Sequence, residues 1–284
     1  MDSKINLKVK TMPELTKLIQ KVELDSYHFL KDFLVENNLK YLALGGTLLG
    51  AIRHHGFIPW DDDMDIGMPR EDYEKFLVLA KEQFVDTKYF FQNPFSDPNY
   101  ALSYGKLLNR NTYIEEKNNY NDAKKGVFID IFPIDIIPNS AEKQRQQYLN
   151  IKRLDSRLYL RLRYNFIDNP IKRFYSPLND QQLSAARDFK IQRENIMREY
   201  EDSENLSLFK NLASQYDYEA EIFSDEQFDN IIEVPFENTT IPVFADYDKI
   251  LKNIYGDYMS LPPENQQTSK HINRLIMDNQ EFTQ

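Results

Sequence analysis

The chain has 284 residues and no cysteine. Disulfides are excluded, and so is any zinc site that depends on thiolates. Histidine is scarce as well, with 4 in the whole chain, which leaves little for a histidine-based zinc centre. No apolar run approaches the about 20 residues that a membrane-spanning helix requires. Residues 1–10 lack the apolar core of a signal peptide. The expected setting is the cytoplasm, with at most peripheral contact at the inner face of the cell membrane. Positive charge is in deficit: 35 basic against 45 acidic residues leave a net of −10. Broad nucleic-acid binding needs a basic surface, so that class is disfavoured. The length suits one large domain, or a catalytic domain with a companion, and buries a substantial core.

What is present is concentrated between residues 41 and 66. An apolar run, Tyr41 to Leu44, meets Gly45-Gly46-Thr47 and then the apolar stretch Leu48 to Ile52. This reads as a strand, a tight turn and a helix whose N-terminal amides can face an anion. Aspartates follow at 61, 62, 63 and 65. On a strand, Asp63 and Asp65 would project to one side, and Asp61 would join them if the strand continued back to it. Like charges that close repel unless a cation sits between them. An oxygen-rich set suits Mg²⁺, with Mn²⁺ as the substitute. A glycine turn followed by metal-binding carboxylates is the equipment of phosphoryl or nucleotidyl transfer. The plain alternative is a solvated acidic loop. Trp60, Met64 and Ile66 argue against it, because they want burial.

The stretch from Gly45 through His54, with Gly56-Phe57-Ile58-Pro59-Trp60-Asp61-Asp62-Asp63-Met64-Asp65-Ile66, resembles the LicD family. Gly126 to Asp135, Tyr104 to Leu107, and the late Tyr255 to Met259 with Leu261-Pro262-Pro263 and His271 are similar to the same family. The resemblance covers about residues 40–271 and is weakest between 140 and 230. It implies a nucleotidyltransferase-like mixed α/β (α+β) sheet core flanked by helices, with a kinship to fukutin-type proteins. It also implies phosphocholine transfer from CDP-choline to a sugar hydroxyl of a surface glycopolymer, a teichoic acid or lipopolysaccharide precursor that is lipid-linked.

Periodicity fills in the rest. Leu15, Leu18, Ile19, Val22, Phe29, Leu30, Phe33 and Leu34 predict a helix ending near Asn37-Asn38. Pro69 is placed at a first helical position, with Tyr73, Phe76, Leu77 and Ala80 on one face. Short strands are expected at 89–91, 101–107, 112–114 and 127–132. From Ala141 the pattern turns to charged amphipathic helices, broken at Asn169-Pro170 and Ser176-Pro177. A further helix begins at 244–248 and is stopped by Leu261-Pro262-Pro263. The expected division is a catalytic core over 1–139 and a mostly helical part over 140–284, packed on the core and completing the site.

The candidate metal ligands are Asp61, Asp63, Asp65 and a third-strand carboxylate. For that last position Asp130, between Ile129 and Ile131, is preferred to Asp135, which reads as a loop-orienting group. Gly45, Gly46 and Thr47 would hold phosphate. Lys106 is a phosphate contact or an edge lysine. Arg53 and His54 clamp phosphate or cap the helix end. Arg70, just beyond the aspartates, is a site contact or a partner for Glu74 one helical turn on. His271 is a candidate general base alongside the carboxylates. Among the aromatics, Tyr100, Tyr104, Tyr113, Tyr255 and Tyr258 lie near the motifs and could surround a trimethylammonium group. Lys152, Arg153, Arg157, Arg161, Arg163, Lys172 and Arg173 form either a solvated helix face or a cradle for an anionic acceptor. Two competing functions keep the fold: transfer of another CDP-linked alcohol (glycerol or ribitol phosphate) or of a nucleotide. An inactive choline- or glycan-binding scaffold is the non-enzymatic reading.

Overall fold

The computed structural model describes residues 6–7, 12–116, 121–164, 177–203, 205–269 and 272–283. Strand β1 (Asn6–Leu7) precedes helix α1 (Met12–Glu36), strand β2 (Leu42–Ala43) and helix α2 (Gly45–His54). Then come β3 (Asp65–Pro69), α3 (Arg70–Gln83), β4 (Tyr89–Gln92), β5 (Gly105–Asn109), β6 (Thr112–Glu116) and β7 (Phe128–Ile137). The second half holds α4 (Ala141–Arg161), α5 (Asp180–Met197), β8 (Leu208–Lys210), β9 (Ile222–Ser224) and α6 (Asp225–Phe228). It closes with β10 (Ile231–Phe236), β11 (Thr239–Phe244), α7 (Tyr247–Tyr255), β12 (Ile272–Met277) and β13 (Gln280–Thr283).

The central sheet runs β2-β3-β7-β5-β4, with β8 and β9 attached along the far end of β7. It is mixed, as expected for an α+β fold: β3 and β7 are parallel, whereas β5 and β8 lie antiparallel to β7. Ten residues long, β7 is the organising strand, because β3, β5 and β8 all bond to it. Phe128 through Ile134 are all buried, which is how a strand covered on both faces reads. A second sheet, β1-β13-β12-β6, receives the C-terminal hairpin, and β10 and β11 form a separate hairpin. Leu15, Ile19 and Val22 of α1 pack with Leu108, Val127, Ile272 and Leu275, so this helix joins the sheets to one apolar core.

Some boundaries differ from the periodicity. Pro69 ends β3 rather than opening α3: its backbone is extended (φ −49°, ψ 141°) and it pairs with Ile134. Proline fixes φ at a value both conformations share, so pairing with β7 decides. Helix α7 ends at Gly256, whose φ of 65° breaks the helix before the proline pair is reached. Residues 101–104 are not strand. Arg193, buried on α5, instead donates to the carbonyls of Ala101 (2.7 Å) and Leu102 (2.9 Å) and to Asp155 (2.7 Å). Lys190 donates to the carbonyls of Pro94 and Pro98. The break at Asn169-Pro170, and Lys172 with Arg173, lie outside the described residues. Helix α5 begins after Pro177, with Asn179 accepting from the Gln182 backbone in a capping box.

Arg70 does more than pair with Glu74 at 3.1 Å. Its guanidinium grips Asp135 at 2.6 and 3.0 Å and reaches Glu194 at 2.7 Å, tying α3, β7 and α5 together. Removing one partner of a buried pair strands the other, at about 3–5 kcal/mol. Arg70→Leu should therefore lower the unfolding free energy by roughly that amount in chemical denaturation, with Asp135→Asn costing less. A loss near zero for Arg70→Leu would show that this junction does not hold the halves together.

Candidate active site

Strand β3 sets Asp65 directly beside Asp130 of β7, and β5 sets Lys106 on the other side of Asp130. Side chains two apart share a face, so Phe128, Asp130 and Phe132 of β7 all point into one cavity of about 430 Å³. Asp63 and Asp65 line the same cavity, as do Gly45, Tyr104 and Lys106. The strand does not extend back to Asp61, since residues 61–64 are irregular. Asp61 stands instead beside Gly46, where a Cβ would meet its Oδ2 at 2.8 Å. Gly45 has φ +48° and a Cβ there would press on the Tyr216 hydroxyl at 3.1 Å. Side chains are thus refused at both glycines of the turn.

Thr47 has a different task from the one its motif position suggests. Its Oγ1 accepts from the Asp65 backbone N–H at 2.8 Å, pinning the first residue of β3. The Leu44 N–H donates to the Asp65 carbonyl at 3.1 Å, and the Asp130 N–H to the Met64 carbonyl at 2.8 Å. Asp62 turns away from its neighbours. Fully buried, it accepts from Ser269 Oγ at 2.6 Å and from the Ile272 N–H at 2.9 Å, anchoring the C-terminal hairpin.

Burial, with Asp63, Asp130, Asp61 and Glu221 around it, pushes the Asp65 carboxyl well above the ordinary value. For Lys106, burial acts to lower the ammonium, but Asp130 and Glu116 outweigh it and the net shift is upward. Its Nζ is 3.0 Å from Glu116 Oε1, 3.7 Å from Asp130 Oδ1 and 3.3 Å from the centre of the Phe128 ring. Lys106 is therefore a charged floor group and not an edge lysine. Among the described residues, no three carboxylates or imidazoles converge into a ready-made metal cage.

The second half of the chain also contributes to the wall. Lys152 and Tyr159 of α4, Tyr164, Asn211, Ala213 to Tyr216 and Glu221 all line the cavity. Tyr104 lies over Phe132 at 4.2 Å between ring centres, and Tyr216 bonds the Tyr255 hydroxyl. Of the five tyrosines near motifs, only Tyr104 lines the cavity. Tyr100 is buried elsewhere, Tyr113 is exposed and Tyr258 bonds Asp248. Arg53 and His54 do not line it either: Arg53 donates to the carbonyls of Tyr258 and Ser260, at the far end of α2. Arg153, Arg157 and Arg161 are exposed, the latter two over Phe189, while among the cluster's described residues Lys152 alone lines the cavity. His271 lies outside the described residues.

A model described as the LicD/FKTN/FKRP nucleotidyltransferase domain matches residues 38–156. Over 272 residues the chain is 31% identical to the lipopolysaccharide cholinephosphotransferase LicD of Haemophilus influenzae, covering 88% of this chain and 92% of that one. The chain belongs to the LicD family. Uncharacterized proteins of Rickettsia typhi (49% identical over 69 residues, 23% of this chain and 22% of that one) and Rickettsia prowazekii (53% over 72, 24% and 27%) share a shorter stretch. The LicD domain match takes in Asp63, Asp65, Lys106, Glu116 and Asp130 but ends before Tyr159, Tyr164, Tyr216 and Glu221. Those three rings escaped the sequence reading, since nothing in a helix or loop marks an aromatic as cavity-facing. No helix among the described residues is long and apolar enough to cross a membrane.

The raised Asp65 carboxyl has a consequence for pH. The folded state holds that proton more tightly than the unfolded chain does. The stability it contributes is full below the ordinary carboxylate value of 3.8 and is lost as pH rises through the folded value. In chelator, the melting temperature of Asp65→Asn should exceed that of the wild type at neutral pH and converge on it toward pH 4. Parallel curves across that window would show that Asp65 is not under charge stress.

Proposed function

We propose that this LicD-family protein is a transferase that moves phosphocholine from CDP-choline to a sugar hydroxyl of a surface glycan. One observation carries the reading: a single cavity is lined both by carboxylates and lysines and by aromatic rings. A CDP-alcohol with a quaternary ammonium head needs both, a charged end for its diphosphate and rings for its cation. The Haemophilus relative's name states the same transfer, onto lipopolysaccharide. A lipid-linked acceptor, or one of the teichoic acid type, is the extension of this reading to a polymer precursor.

The site also fits a divalent cation of the Mg²⁺ or Mn²⁺ kind. The donors are all oxygen, and Mg²⁺ takes one or two protein carboxylates while water and substrate phosphates fill its other positions. An incomplete cage beside an open cavity is suited to that mode. Of the candidates Asp61, Asp63, Asp65 and Asp130, one or two would hold the ion directly, and the pair Asp65 and Asp130 stands side by side for it on β3 and β7. An ion held there would supply Lewis-acid stabilisation of the negative charge that develops during transfer.

The chain's own groups account for the rest. Gly45 brings backbone at the N-terminus of α2 to the cavity wall, where a phosphate oxygen finds amide donors. Lys106 and Lys152 supply positive charge to the phosphoryl oxygens. Tyr104, Tyr159, Tyr164 and Tyr216, with Phe128 and Phe132, surround the trimethylammonium group. The acceptor oxygen bonds to the phosphorus that carries choline, and the bond from that phosphorus to the bridging oxygen breaks. The electron pair leaves with CMP. The acceptor's proton goes to a cavity carboxylate, or to His271 if it reaches the site.

The test is a donor screen that measures CMP release from CDP-choline, CDP-glycerol, CDP-ribitol and CTP in the presence of Mg²⁺ and a glycan acceptor. CDP-choline should be preferred. Tyr104→Leu and Tyr159→Leu should each raise its KM by about 2–30-fold, as expected for a cation–π contact of about 0.5–2 kcal/mol. They should leave the uncharged donor's KM nearly unchanged. Equal rates for choline and glycerol donors would overturn the choline assignment, and no release from any donor would favour a binding scaffold.

A further inference from the structure

Glu23 lies midway along α1 on the stripe that carries Ile19, Tyr27, Leu30 and Leu34, and it is fully buried. Among the described residues neither carboxylate oxygen has a hydrogen-bond partner. Three residues earlier on the same helix, Gln20 Nε2 donates to the carbonyls of Ile58 (3.0 Å) and Asp61 (2.8 Å). That turn of α1 is thus clamped against the aspartate loop, and Glu23 faces Asp61, Asp62, Asp63 and Asp130, with Asp63 acting on it most strongly. It does not line the cavity, so it meets the cluster from behind.

A buried carboxylate with a purely structural role has donors around it, because leaving its oxygens unbonded is costly. Protonation alone does not remove that cost, since an O–H without an acceptor is still unsatisfied. Four neighbouring carboxylates add repulsion. A cation among them removes both difficulties. We propose that Glu23 is a positioning residue of the cation site, supplying negative charge to the ion from the α1 side, opposite the cavity. This rests on the cation reading of Asp63, Asp65 and Asp130, and adds to it a charge from a helix that precedes the LicD domain match.

The test is Mn²⁺ binding to the full chain without substrate, followed by the electron paramagnetic resonance signal of free Mn²⁺, with melting temperatures measured alongside. Glu23→Gln keeps the size and removes the charge. It should weaken Mn²⁺ binding at least about tenfold, yet melt higher than wild type in chelator; Mn²⁺ should then stabilise the wild type more than the variant. Glu23→Asp, which keeps the charge, should bind Mn²⁺ within about threefold of wild type and covers the case in which the glutamine variant does not fold. If Glu23→Gln binds Mn²⁺ as wild type does, or if Glu23→Asp loses binding while it stays folded, Glu23 is not part of the site. If the wild type itself binds no Mn²⁺, the cation reading fails together with this one.

Discussion

The site depends on the register of β3 against β7. With Asp65 opposite Asp130 and Lys106 opposite Asp130 on the other side, one row of the sheet carries two carboxylates and an ammonium into the same cavity. A slip of one residue would turn Asp130 into the core and bring Ile129 or Ile131 to the cavity. Three hydrogen bonds hold the register where it matters: Thr47 to the Asp65 amide, Leu44 to the Asp65 carbonyl, and Asp130 to the Met64 carbonyl. The glycine turn therefore serves to align the carboxylates.

Charge is treated in opposite ways in two parts of the molecule. Away from the cavity, buried ions are matched: Arg70 with Asp135 and Glu194, Arg193 with Asp155 and two carbonyls. Those pairs fasten α3, α5 and the 94–102 loop to the sheet. At the cavity, like charges gather instead, and burial with its acidic neighbours pushes the Asp65 carboxyl toward its neutral form. Strongly shifted groups of this kind gather at functional sites. The matched pairs hold the backbone rigid enough to carry that stress.

The second half of the chain is part of the site. Strand β8 extends the central sheet at the end of β7, and the segment from Asn211 to Glu221 that follows it folds over the cavity. Helix α4 lays Lys152 and Tyr159 along the wall while its outer face shows Arg153, Arg157 and Arg161 to solvent. Half of the cavity's aromatic rings, Tyr159, Tyr164 and Tyr216, thus come from beyond the match to the LicD domain model.

The sequence by itself determined the local pieces: the glycine turn, the aspartate run, the long α1 helix and the strand carrying Asp130. Each rests on short-range chemistry, whether alternation, helical spacing or the backbone freedom of glycine. It could also have shown that Glu23 is unusual, a charge on an otherwise apolar helix stripe. Alternation set Asp62 apart from Asp61, Asp63 and Asp65 but did not show what holds it, because its partners Ser269 and Ile272 lie more than 200 residues away. Nor did it reveal that Arg53 serves the 258–260 turn, or that Tyr159, Tyr164 and Tyr216 meet around one cavity. Those assignments belong to the tertiary structure, since side chains distant in sequence become neighbours only when strand register and helix packing are set. No local pattern encodes which aromatic ring faces a cavity and which faces the core.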